Sequence, residues 1–220
     1  MLNKRTQTHI RTTHDSVSRA IISFFSWDGF LCPKGIARIL LAVCIGWLST
    51  TTATARAQDM KREYQIKAAF LFNFVKFIEW PANAFPNQDS HIILCVIGTD
   101  PFGDILDVTV NGKTAQGRSM EIRRLNTTEN IGRCHILFVS TSEQSRLAQV
   151  MSATQGSSVL TVGEMARFSD TGGIINFILK RARIRFEINV HSARRSGLKI
   201  SSKLLQLATI VKLNPDHGSD

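Results

Sequence analysis

The stretch His91-Ile92-Ile93-Leu94-Cys95-Val96-Ile97-Gly98 decides the fold. Residues 92–97 are apolar without a break. A strand with one wet face would alternate, so this one is predicted to be buried on both faces, as in a parallel sheet covered by helices. Two runs of the same kind follow, Cys134-His135-Ile136-Leu137-Phe138-Val139 and Ser158-Val159-Leu160-Thr161-Val162. Met120-Glu121-Ile122-Arg123 alternates in part and reads as a further strand. Helix signals lie between them. Asp100-Pro101 opens a short helix through Leu106, with Asp100 as cap and Pro101 in the first turn. Asn111-Gly112 marks a turn, and Ser142 caps a helix that turns Leu147, Val150 and Met151 inward. The resulting order predicts an α/β fold with a mixed, mostly parallel central sheet flanked by helices.

Toward the N-terminus, residues 61–79 read as a helix. Tyr64, Ala68, Leu71, Val75 and Ile78 form one apolar stripe, and Ile66, Phe70, Phe74 and Phe77 the next. Together they span roughly 200° at about 100° per residue, an arc broad enough to demand burial. Lys67 falls inside it and is expected to snorkel outward. Trp80-Pro81 ends the helix. Toward the C-terminus, Gly172-Gly173 precedes a strand over Ile174–Leu179, and Lys180-Arg181-Ala182 turns the chain into a second one over Arg183–Val190. Ile184, Phe186, Ile188 and Val190 share one face of it, and Arg183, Arg185, Glu187 and Asn189 the other. A short connection and one polar face predict a C-terminal antiparallel hairpin at the edge of the sheet. Ser192 and Gly197 bound a short helical turn. Ser201 caps a final helix that packs Leu204, Leu205, Leu207, Ala208 and Val211 down. The polar residues 214–220 are expected to form a flexible tail.

The leader has a form of its own. Lys34 and Arg38 precede the apolar run Ile39–Leu48, and small residues follow up to Ala55-Arg56-Ala57. Positive, apolar, then A-x-A is the pattern of a cleavable secretory signal, so residues 1–57 are expected to be an N-terminal extension plus that signal. Ala53-Thr54-Ala55 is a second cleavage site, and an uncleaved anchor is the alternative, although a spanning helix needs about 20 apolar residues. Of the formal net charge of +10 in 220 residues, +5 belongs to this leader. The rest is dilute, which argues for solubility and against a nucleic-acid groove. Cys32 and Cys44 leave with the leader. Cys95 and Cys134 remain as an even pair that reads as one disulfide in an oxidising compartment, with two buried free thiols as the alternative. Neither has a neighbour at metal-ligand spacing, so no metal is expected.

Catalytic motifs are missing from the mature sequence: no nucleophile elbow, phosphate loop, dinucleotide fingerprint or zinc-protease helix. No catalytic residue, cofactor or enzyme activity is expected. Gly98-Thr99-Asp100-Pro101-Phe102-Gly103 sits where an anion is often held, but Asp100 would repel a phosphate, and a plain strand-to-helix turn is favoured. His135, inside an apolar strand, reads as a hydrogen-bonded core histidine. One polar constellation stands out: Arg185, Glu187, Asn189, Arg194, Arg195 and Lys199. Cations gathered around one carboxylate suit a surface that meets a carboxylate, a phosphate or an acidic partner. A solvated edge with local ion pairs is the alternative.

Five segments carry a resemblance: YQIKAAFLFNFVKFIEWP at 64–81, ILCVIGTDPFG at 93–103, CHILFVS at 134–140, Gly172-Gly173-Ile174-Ile175-Asn176-Phe177, and FEINVHSARRSGLKISSKLLQLATIV at 186–211. In this order they resemble the YfiR-like family across nearly all of the mature chain, read as a single domain over 58–213. The resemblance implies a non-catalytic periplasmic regulator that restrains an inner-membrane diguanylate cyclase through its periplasmic portion. An outer-membrane lipoprotein that withdraws the inhibitor, a sensor kinase, and a second copy of the chain are further partners it allows. A small-anion-binding sensor feeding a sensor kinase is the alternative function. By position, Cys95 and Cys134 fall where relatives place a disulfide. Ser169 and Asn176 stand where some relatives have a second pair, so no redox tuning is expected there. Glu187, Asn189 and Arg195 lie in the family's signature segment.

Overall fold

The computed structural model describes residues 58–211. Helix α1 occupies 58–74 of these. The elements that follow are β1 (Ile78–Glu79), β2 (Ile92–Ile97), α2 (Asp104–Val110), β3 (Thr114–Ala115), β4 (Arg118–Leu125), β5 (Ile136–Val139) and α3 (Leu147–Ala153). After them come β6 (Leu160–Gly163), β7 (Ile175–Lys180), β8 (Arg183–Ile188), α4 (Val190–Arg195), β9 (Lys199–Ile200), α5 (Ser202–Leu207) and β10 (Thr209–Ile210). Eight strands form one sheet in the order β10-β8-β7-β6-β5-β2-β4-β3, while β1 and β9 pair as a separate antiparallel ribbon. From β4 through β7 every pairing is parallel, and β7–β8 is the antiparallel hairpin. The expected α/β class and the mostly parallel sheet are what the chain adopts. The two-residue β10 pairs with β8 only at Glu187 and Ile188, leaving the rest of the hairpin's outer edge open among the described residues.

Burial on both faces explains the unbroken run at 92–97. Ile92, Leu94 and Val96 join a core with α1, α2 and the hairpin. Cys95 and Ile97 point the other way, into a second core with Leu147, Val150, Met151 and Phe168. Phe70 and Phe74 of α1 pack against Phe177 and Phe186, mostly edge-on or tilted with Phe74 stacked on Phe177, fastening the helix to the hairpin. Cys95 and Cys134 are bonded with Cα atoms 5.9 Å apart, joining β2 to the lead-in of β5. Gly163 and Gly173 flank the fully buried Phe168 ring, and a Cβ at either position would enter the ring's van der Waals envelope.

Several local expectations are corrected. The first helix ends at 74, passes through a 3-10 turn at Val75–Phe77, and becomes strand at Ile78 and Glu79, because these residues pair with Ile200 and Lys199. Ile66 is exposed, while Lys67 is buried and does not snorkel, since it finds carboxylates inside. The second helix starts at Asp104, not Asp100. Asp100 accepts from the Phe102 N–H at 2.8 Å in a turn, and Gly103 at φ 50° separates that turn from the helix. The third helical segment is capped by Ser140 rather than Ser142. The short helical turn is capped by Asn189, whose side chain accepts from the Ser192 N–H. Ser201 caps the final helix as expected, but that helix stops at Leu207, which is exposed, and Thr209 joins the sheet. The secretory leader over 1–57, with Cys32 and Cys44, and the tail over 214–220 lie outside the described residues.

Candidate functional site

Strand order reverses between β2 and β5: the chain leaves β2 toward β4 on one side and returns to β5 on the other. In open α/β sheets, ligands characteristically bind outside the carboxyl ends of the strands at such a point. Here the chain's own side chains occupy that place. The Ser142 hydroxyl accepts from the Thr99 N–H at 2.9 Å. Gly98, at φ +88°, backs directly onto Ser142 and Glu143, leaving no room for a Cβ. Glu143 is buried and held by Arg146 at 2.6 Å. Asp100 is engaged by Arg124, whose guanidinium also reaches Asp107 and the Gly103 carbonyl. Gly98–Gly103 is therefore a self-satisfied turn. Next to it, Lys67 donates to Glu63 and Glu164, and the Tyr64 hydroxyl donates to Glu164 at 3.0 Å. Burial, together with the Glu164 and Glu63 charges, pushes the Tyr64 phenol well above its ordinary pKa, so it stays a donor.

His135 is a structural group. Its Nδ1 accepts from the Ile93 N–H at 3.0 Å, so Nε2 carries the proton that faces the Ala84 carbonyl. The ring stacks on Phe85 at 4.4 Å. Burial holds its pKa below the usual histidine value; the nearby Arg118 charge adds to this, and the Ala84 hydrogen bond opposes it. A shallow cleft of about 710 Å³ opens beside it, lined in part by His91, Glu121, Arg123 and Arg133.

The six candidate residues fall into distinct roles. Glu187 and Asn189 face inward. One Glu187 oxygen accepts from Ser169 at 3.0 Å and from Asn176 at 3.1 Å. Asn189 caps α4 and donates to the Ser169 carbonyl at 2.9 Å. Ser169 and Asn176, the two positions without cysteine, are thus linked through one carboxylate. Arg194, Arg195 and Lys199 are exposed; Arg195 donates to the Ser192 hydroxyl at 3.1 Å, and Lys199 lies opposite Glu79 on the ribbon. Arg185 stands apart from these, in an open groove of about 600 Å³ with Lys180, Arg181, Arg183, Phe186, Leu207, Ala208 and Thr209. Lys180 and Arg181, expected only as part of a turn, join this groove, and the close spacing of cations at 180, 181, 183 and 185 is the sequence signal for it.

A family description, YfiR/HmsC-like, matches residues 64–209. Among solved structures, a conserved domain protein from Vibrio cholerae O1 biovar eltor str. N16961 superposes with a TM-score of 0.43 at 11% identity, covering 55% of each chain. The ABC domain in complex with L-Trp from Streptococcus pneumonia gives 0.40 at 12% identity, covering 54% of this chain and 55% of that one. The chain thus spans about half the length of each of these solved chains.

Proposed function

This chain belongs to the YfiR/HmsC-like family, and from that premise we propose that it is a non-catalytic periplasmic regulator that binds and restrains an inner-membrane diguanylate cyclase. One observation favours a binding role over a catalytic one: the ligand position at the strand ends is filled by Ser142, Glu143 and the Asp100–Arg124 cluster. Recognition then falls to the outer surface, where Arg185, Arg194, Arg195 and Lys199 are exposed and belong to no ion pair among the described residues. Export by the Ala57 signal places the protein beside the periplasmic part of its target. Deleting the gene should raise cyclic di-GMP, and Arg195→Glu should raise it while the periplasmic protein level holds. Unchanged cyclic di-GMP after deletion would refute the reading.

A further inference from the structure

We propose that the open outer edge of β8 is a strand-addition site for an extended segment of another protein that alternates acidic and apolar residues. The proposal deepens the proposed function and rests on its reading of the chain as partner-binding. The two-residue connection Arg181-Ala182, both with positive φ, makes Lys180 and Arg183 the first hydrogen-bonded pair of the hairpin. Bonding then alternates, so the main-chain groups of Arg183 and Arg185 face β7, and those of Ile184, Phe186 and Ile188 face outward. Two bonds agree with this phase: Asn189 donates to Ile174 inside, and the Val211 N–H reaches the Ile188 carbonyl outside. Among the described residues, β10 covers the outer edge only at Glu187 and Ile188, so Ile184 presents an unpaired ladder to solvent.

The surroundings choose the occupant. An incoming strand would meet Arg183 and Arg185 on one face, with Lys180 and Arg181 at the hairpin tip and no carboxylate in the groove lining. On the other face it would meet Ile184 and its exposed cross-strand neighbour Leu179, at 70%, while the exposed Leu207 adds an apolar contact to the groove. Acidic side chains on one face and apolar ones on the other complement this edge, with main-chain bonds supplying affinity and side-chain alternation supplying specificity. A second copy of this chain would bring four cations against four, which opposes self-pairing at this edge. β10 runs parallel to β8, so the chain direction at Val211 leads away from Arg183.

The test is fluorescence anisotropy with the purified chain and a labelled octapeptide of alternating Glu and Val. The controls are a Lys/Val peptide and two Glu/Val peptides N-methylated at every second residue, one in each phase. The Glu/Val peptide should bind and the Lys/Val peptide should not. Loss of the main-chain bond to the Ile184 carbonyl should weaken one methylated phase about fivefold or more. Ile184→Pro, which removes an outward N–H that the hairpin does not use, should weaken binding similarly, and Arg183→Glu with Arg185→Glu should abolish it. Circular dichroism checks each fold, and if Ile184→Pro fails to fold, the methylated peptides carry the same question. Equal binding of both methylated phases, or displacement of the peptide by inorganic phosphate at an equivalent concentration, would overturn the proposal. The peptide assay is independent of the cellular cyclic di-GMP measurement, so the edge and the regulatory reading can fail separately.

Discussion

Reducing the Cys95–Cys134 bond isolates what one covalent link contributes, because oxidised and reduced chains share every heavy atom. The bond spans 39 positions in sequence and joins neighbouring strands of the parallel core. In the chain-entropy account, closing a loop of that length removes about 13 cal/mol/K from the unfolded chain, or about 4 kcal/mol at room temperature. That is a large fraction of the 5–15 kcal/mol typical of a folded domain. With a urea dependence of about 2 kcal/mol/M, the unfolding midpoint should fall by about 2 M on reduction. Both cysteines are buried, at 0% and 4% residue exposure, so reductant must be added to unfolded protein before refolding. The assay is equilibrium urea unfolding followed by tryptophan fluorescence, run with and without reductant, with the slope checked for constancy. Midpoints that agree within about 0.3 M would mean a contribution below about 1 kcal/mol, and the loop-closure reasoning would fail.

Three further outcomes follow from the geometry. Glu187→Ala removes the acceptor shared by Ser169 and the buried Asn176 and should lower stability by about 1–3 kcal/mol, whereas Arg185→Ala should stay within about 0.5 kcal/mol, both read from urea midpoints. Gly173→Ala drives a methyl into the Phe168 ring and should cost about 1–3 kcal/mol; in the Phe168→Ala background the added cost should largely vanish, as a double-mutant cycle would show. His135 has a lowered folded-state pKa, so its unfolded form binds a proton first. Stability should hold above its unfolded value of about 6.5 and decline as pH falls from there through the folded value. Unfolding midpoints for wild type and His135→Asn between about pH 7.5 and about pH 5.5 should diverge in slope, the variant being flatter.

The buried strands were legible because β2, β5 and β6 need no partner information: an unbroken apolar run already says that both faces are covered. The hairpin was legible for the opposite reason, its alternation from Ile184 to Ile188. The two-residue strands β1, β9 and β10 were not, since Ile78 and Glu79 become strand only by meeting Ile200 and Lys199, far away in sequence. Lys67 was misread for the same reason. Its partner Glu164 lies 97 positions on, and periodicity alone can only expel a charge from an apolar arc. Glu187 and Arg185 were indistinguishable by alternation, which places both on one polar face. What separates them is the approach of Ser169 and Asn176 on the inner side and the open groove around Arg185.

The plugged reversal point between β2 and β5 bears on how this protein could be silenced or repurposed. A compound collection chosen because the architecture resembles a receptacle would be aimed at Ser142 and Glu143, which already fill the space against Gly98. Carving a receptor here would first require shortening both side chains and finding another counter-ion for Arg146, whose partner is Glu143. Peptide-like or macrocyclic molecules that imitate a strand and engage the perimeter are the better-matched chemistry. In this scaffold, the surface open to a ligand lies on the rim of the sheet instead of at the tips of its central strands.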